Sequence, residues 1–249
     1  MNIKKPVELL LSILTITAFA IVFIFVKPIG QSLAYHNFID TQTNFGINNF
    51  YNVVSNIGFV IVGIHGFFVA KKYYIKTAFI YVLSCGFLLT GLGSSYYHLN
   101  PNNSTLVWDR LPMTIVFTTF FAQVYSLYIN KKRGTIIWVI CLSLGIFSVW
   151  YWHYTETLNK GDLRLYALVQ YLPMLLMLII VSLQCKKYKI LLNPFICVAF
   201  FYFLAKIFEN FDAQIMHFTN VIGGHFLKHI AAAIASFFII NSVKKIATL

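Results

Sequence analysis

Eight long, charge-poor apolar runs divide this chain, and they restrict what it can fold into more than any other feature. They cover residues 9–26, 50–70, 78–97, 111–129, 134–152, 165–184, 190–205 and 221–243. An α-helix needs ~20 apolar residues to cross the hydrocarbon core of a bilayer. The seventh run is short but extends past Lys206, whose stem can carry its ammonium to the interface. In lipid every backbone N–H and C=O must be satisfied within the chain, which a helix does locally. The expectation is therefore an all-α polytopic membrane helical bundle with eight spans. The 249 residues leave no room for a separate soluble domain.

Composition removes the competing classes. The chain is 59% hydrophobic and 10% charged, against ~45–50% and ~25% in soluble domains. That excludes a soluble globular protein, a disordered one and a disulfide-rich secreted scaffold. The strands of an outer-membrane barrel alternate in polarity and read as far less apolar. A net charge of +12 suggests nucleic acid at first sight. The basic residues, however, lie between the apolar runs, where they orient a membrane chain; no nucleic-acid partner is expected. Cys85, Cys141, Cys185 and Cys197 lie in or beside apolar runs without CxxC spacing, and are read as packing residues.

The basic residues also give a direction. Lys4 and Lys5 precede the first run. Lys71, Lys72 and Lys76 follow the second; Lys131, Lys132 and Arg133 follow the fourth. Lys186, Lys187 and Lys189 follow the sixth, and Lys244 and Lys245 the eighth. With eight spans all of these share one side, so both termini are expected in the cytoplasm. The first run could instead be a signal peptide. Its 18-residue apolar core exceeds the usual ~7–15, and Lys27-Pro28 ends it without a small-residue cleavage site. A retained first span is expected.

Ionisable groups inside membrane segments are costly and mark function. Run three ends in GLGSSYYH (91–98), run four begins near WDRLPM (108–113), and run eight begins with GGHFLKH (223–229). The topology brings His98, Asp109, His225 and His229 to the outer, non-cytoplasmic face. His225 and His229 are four apart, so both rings leave one helix face. Such a pair can bind a metal, and a third His would leave a fourth position open, as in catalytic zinc sites. Ser94 shares a helix face with His98. Asp109 is expected to open the next helix, after a polar loop at residues 100–107. Each residue alone has a plainer reading: interfacial polarity for the HxxxH pair, a backbone hydrogen bond for Ser94, dipole compensation or pairing with Arg110 for Asp109. His36, His65, His153 and His217 are not expected to bind metal. Asn52, Ser55 and Asn56 of FYNVVSN (50–56) share a face and read as contacts between helices.

Together these motifs resemble the alkaline ceramidase family, within the group of seven-helix membrane hydrolases that also holds the adiponectin and progestin receptors. The resemblance covers roughly residues 40–245. It implies a seven-helix ceramidase-like hydrolase domain over 31–249, with the helix of residues 1–30 as an N-terminal addition. It further implies zinc ligation by His98, His225 and His229, a proton-accepting or water-orienting Asp109, and a Ser94 that supports the metal site or the oxyanion. The expected reaction is zinc-dependent hydrolysis of the amide of an N-acyl, ceramide-like lipid within the bilayer. Family members resembling this chain bind calcium through an acidic cluster before the FYN-type motif. Here residues 40–49 carry one carboxylate, Asp40, so calcium is not expected. Two alternatives stay open: a hydrolase of lipid esters, and a non-catalytic metal-containing receptor or scaffold.

Overall fold

A computed structural model describes residues 4–184 and 189–247. Cys185, Lys186 and Lys187 lie outside the described residues. The helices are α1 (Lys4–Phe25), α2 (Phe50–Val54), α3 (Ile57–Lys72), α4 (Ala78–Leu99), α5 (Asn103–Tyr128), α6 (Lys131–Thr157), α7 (Arg164–Gln184), α8 (Leu192–Asn210), α9 (Asp212–Thr219) and α10 (Gly224–Ala247). Eight helical segments among the described residues are long and apolar enough to cross a membrane. The protein is an all-α, multi-pass integral membrane protein, as the apolar runs predict. Its contacts divide it into two compact units, Met1–Gln31 with Thr114–Lys189 and Ser32–Met113 with Ile190–Leu249.

In the first unit α1 is held at both ends. Glu8 accepts from the Tyr125 hydroxyl at 3.0 Å and pairs with Arg133. At the other end Arg164 Nη1 donates to the Val26 carbonyl at 2.8 Å, and Leu163 N–H to Ile29 C=O at 2.9 Å. Arg164 also forms a two-pronged pair with Asp162, Nε to Oδ1 at 2.9 Å and Nη2 to Oδ2 at 2.7 Å. Burial raises the Asp162 carboxyl, but the hydrogen bonds and charge of Arg164, with a hydrogen bond from Tyr151, outweigh it. The carboxyl is left below its ordinary value.

In the second unit α10 packs on α8 and α3, and α3 packs on α4. A Cβ at Gly63 would lie 2.8 Å from the backbone of Ser84 and Leu88. Glycine there lets α3 and α4 meet backbone to backbone, a small-residue contact typical of membrane helices. The second apolar run is not one helix. Asn52 C=O receives both the Ser55 hydroxyl and the Asn56 amide, so side chains compete with the ladder and α2 breaks from α3.

The connection from α4 to α5 is shorter than the polar composition of residues 100–107 suggests. Asn102 Oδ1 accepts from Ser104 N–H at 2.9 Å and Thr105 N–H at 3.0 Å. This cap starts α5 at Asn103, so Asp109 lies in the second turn of the helix instead of opening it. Further along, Pro112 lacks the N–H that would bond the Trp108 carbonyl. That carbonyl lies against Gly93 of α4, where a Cβ would collide with it.

Candidate metal centre

His98 stands in the last turn of α4, and His225 and His229 in the first two turns of α10. The Asp212 carboxylate fixes the start of α10 by accepting the His225 backbone N–H at 2.8 Å. All three histidines are buried, and their ligand atoms lie within 4.8 Å of one another. Ring centroids are 4.8 Å apart for His98 and His225, 5.0 Å for His98 and His229, and 4.7 Å for His225 and His229. The cluster could hold a metal ion. Among the described residues it is the group of three or more such side chains that does so.

The donor set fits a tetrahedral cation. His98 Nε2 and His225 Nε2 are 3.3 Å apart. Two nitrogens bound to zinc at 2.0–2.1 Å with tetrahedral angles are roughly 3.3–3.4 Å apart. His229 has a fixed tautomer. Its Nδ1 is 2.7 Å from Ser55 Oγ, and Ser55 donates its own proton to Asn52 C=O at 2.9 Å. The hydroxyl can therefore only accept, so Nδ1 carries the proton and the Nε2 lone pair is free for a cation. Phe38 closes one side, with its ring 4.6 Å from His98 and 4.5 Å from His225.

Ser94, one turn before His98, is buried and hydrogen-bonds the Asp109 carboxylate. Asp109 also lies within electrostatic reach of Lys228, Arg110 and Glu209. The structure thus joins Ser94 to Asp109 and gathers the three histidines. It leaves the other histidines outside the cluster. His36 is engaged by the Tyr97 hydroxyl and Asn103 Oδ1, both at 2.9 Å, and His65 lies against Phe237. Asp40 is buried and accepts from Asn52 N–H at 2.9 Å and Gln42 N–H at 3.2 Å.

Sequence reasoning missed three contributors. Ser55 reads as a contact between helices, but it sets the tautomer of a candidate ligand. Asp212 gives no signal beyond its charge. Lys228 is only a letter of the GGHFLKH motif in the sequence, yet it pairs with Glu209 at 2.6 Å.

No curated protein matches this chain. The family model described as Ceramidase matches residues 36–248, so the chain belongs to the Ceramidase family.

Proposed function

We propose that the protein is a zinc-dependent hydrolase that cleaves the amide of an N-acyl, ceramide-like lipid and releases a fatty acid. The observation that carries this reading is the convergence of three buried imidazoles, two of them 3.3 Å apart, in a chain of the Ceramidase family. His98, His225 and His229 would hold the metal. A zinc ion there would supply Lewis acidity, lowering the pKa of a water molecule towards ~7 and polarising the acyl carbonyl.

The remaining steps fall to the chain's own groups. Asp109 accepts the proton of the attacking water and returns it to the departing amine. Ser94 holds the carboxylate by donating to it. Once Asp109 is protonated this hydrogen bond can reverse, which frees the Ser94 hydroxyl to donate to the negative acyl oxygen. One water is consumed, the C–N bond breaks, and a fatty acid and an amine result. Phe38 and the burial of the histidines keep other water away. The lysine distribution supports cytoplasmic termini and a site towards the outer face, where the acyl chain stays in lipid. The segment of residues 1–30, which contains α1, is then an addition to a seven-helix hydrolase core over 31–249.

The test is mass spectrometry of fatty acid released by zinc-loaded protein from a panel of N-acyl and O-acyl lipids, with Asp109→Asn as control. Release from N-acyl lipids by the wild type alone is expected. Release from O-acyl lipids only would make it an esterase. No release from any lipid would make it a receptor or scaffold.

A further inference from the structure

At the end of the second unit opposite the histidines, lysines from two helices gather without an acid. Lys71 and Lys72 close α3, Lys76 lies in its connection to α4, and Lys244 stands in the last turn of α10. Lys244 Nζ is 4.1 Å and Lys72 Nζ 5.8 Å from the centroid of one ring, that of Tyr73. An aromatic face attracts an ammonium but carries no net charge. The backbone beside it is unusual as well. Ile75 N–H donates to Ala70 C=O at 2.9 Å, and Tyr74 N–H to Lys71 C=O at 3.3 Å. This is the pattern of a Schellman cap, in which glycine usually fills the left-handed position. Here that position is Tyr74, at a φ of 53°. Ile75 is buried and pins the turn, and the Tyr74 side chain is left 86% exposed.

The 7 acidic side chains of the chain are all engaged elsewhere. In this unit Asp40 holds Asn52 N–H, Asp109 the Ser94 hydroxyl, Glu209 pairs with Lys206 and Lys228, and Asp212 accepts from His225 N–H. In the other unit Glu8 pairs with Arg133, Glu156 accepts from Trp152, and Asp162 pairs with Arg164. None of α3, α4 and α10 contains an acid. Lys244 stands roughly 24 Å along α10 from Lys228, the partner of Glu209. That is well beyond the Debye length of about 8 Å. Helix dipoles do not balance the lysines either. The C-termini of α3 and α10 each offer about half a negative charge, and the N-terminus of α4 about half a positive one, against four ammonium groups. Orienting the chain calls for basic residues at span ends. It does not call for two of them, from different helices, on one ring, nor for a tyrosine in the place of glycine beside them.

We propose that this surface binds the phosphate of an acidic phospholipid in the adjoining leaflet, with Lys71, Lys72, Lys76 and Lys244 supplying the positive charge and Tyr74 lying at the depth of the head groups. The proposal is independent of the hydrolase reading above. These lysines stand at the ends of spans, so the surface is continuous with the flank that faces lipid. A cluster of basic residues at that level is how membrane proteins hold anionic heads. An exposed tyrosine suits the same zone, with its ring towards the acyl chains and its hydroxyl towards phosphate. A free anion from solution would meet the lysines but leave Tyr74 without a partner.

The experiment places the full-length protein in mixed micelles with equal amounts of phosphatidylglycerol and phosphatidylcholine of the same acyl chains. Retained lipids are counted by native mass spectrometry. Retention of phosphatidylglycerol roughly tenfold above phosphatidylcholine is expected, and the ratio should fall as salt rises. Lys72→Gln and Lys244→Gln should each cut it by roughly fivefold, the effect of one lysine charge near an anionic lipid surface. Lys160→Gln, at an exposed lysine of the other unit, should leave it unchanged. Tyr74→Gly fits the φ of 53° without strain. It should hold or raise the melting temperature while retention falls; unchanged retention would remove the tyrosine from the surface. The wild-type comparison of the two lipids needs no variant to fold. Equal retention overturns the proposal. So does a preference that survives both lysine substitutions, which would put the acidic lipid on another surface. Displacement of the lipid by inorganic phosphate would make this a site for a free anion and overturns the lipid assignment.

Discussion

Ser55 Oγ lies 2.7 Å from His229 Nδ1 and directs its own proton away, to the Asn52 carbonyl. The break between α2 and α3 therefore sets which nitrogen of a histidine on α10 faces the cluster. Partners that orient a ligating imidazole commonly control metal affinity by 10–100-fold. Ser55→Ala should weaken zinc binding by about that range, measured by competition with a chelator, while the helical circular dichroism is retained. Unchanged affinity would remove Ser55 from the metal site.

The histidines and Asp109 should separate in their effects. His98→Ala, His225→Ala and His229→Ala are each expected to lose most of the bound zinc, read by elemental analysis. Asp109→Asn should keep the metal, because it is not among the clustered ligands. It should lose roughly 10²–10⁴-fold in hydrolysis, since an amide does not accept the proton. Full zinc occupancy in His225→Ala/His229→Ala would place the metal elsewhere.

Gly93 tests the link between α4 and α5. A Cβ there meets the Trp108 carbonyl, with Trp108 C at 2.8 Å. Backbone cannot yield as a flexible side chain does, so Gly93→Ala must push the start of α5 away. The cost is about 1–3 kcal/mol for overpacking, seen as a lower melting temperature in detergent. Activity should fall further than stability does, because Asp109 moves with Trp108. Gly46→Ala is the contrasting change: nothing lies within 4 Å of its Cβ, and only its φ of 76° opposes it.

Asp162 predicts a response to acid. Its folded carboxyl lies below the ordinary value, so it contributes stability that is fully present above the unfolded pKa of ~3.9. That contribution is lost as pH falls towards the folded value. Asp162→Asn should lower the melting temperature at pH 7, and the gap from wild type should close as pH falls below the ordinary carboxylate value and through the folded one. A gap that is constant with pH would mean that the pair with Arg164 contributes no charge-dependent stability.

The orientation is open to chemical labelling. Ser104 is exposed at the start of α5, next to the connection that the lysine pattern assigns to the outer side. A membrane-impermeant thiol reagent should label Ser104→Cys from outside intact cells, in a background without the native cysteines. Labelling only after the membrane is opened would reverse both the topology and the side of the site.

The apolar runs alone determine the membrane fold, because ~20 residues without charge have few other stable states. The motif spacing is equally legible for pairs on one helix: His225 with His229 and Ser94 with His98 share faces by helical periodicity alone. Which helices meet is not local information. The 3.3 Å approach of His98 to His225 depends on how α4 and α10 pack. The hydrogen bond from Ser94 to Asp109 depends on the register of α5, which the Asn102 cap shifts from what the polar composition suggests. The proton on His229 Nδ1 is held there by an accepting serine 174 residues away. Periodicity encodes which side of a helix a residue occupies; only packing across distant segments decides what that residue faces.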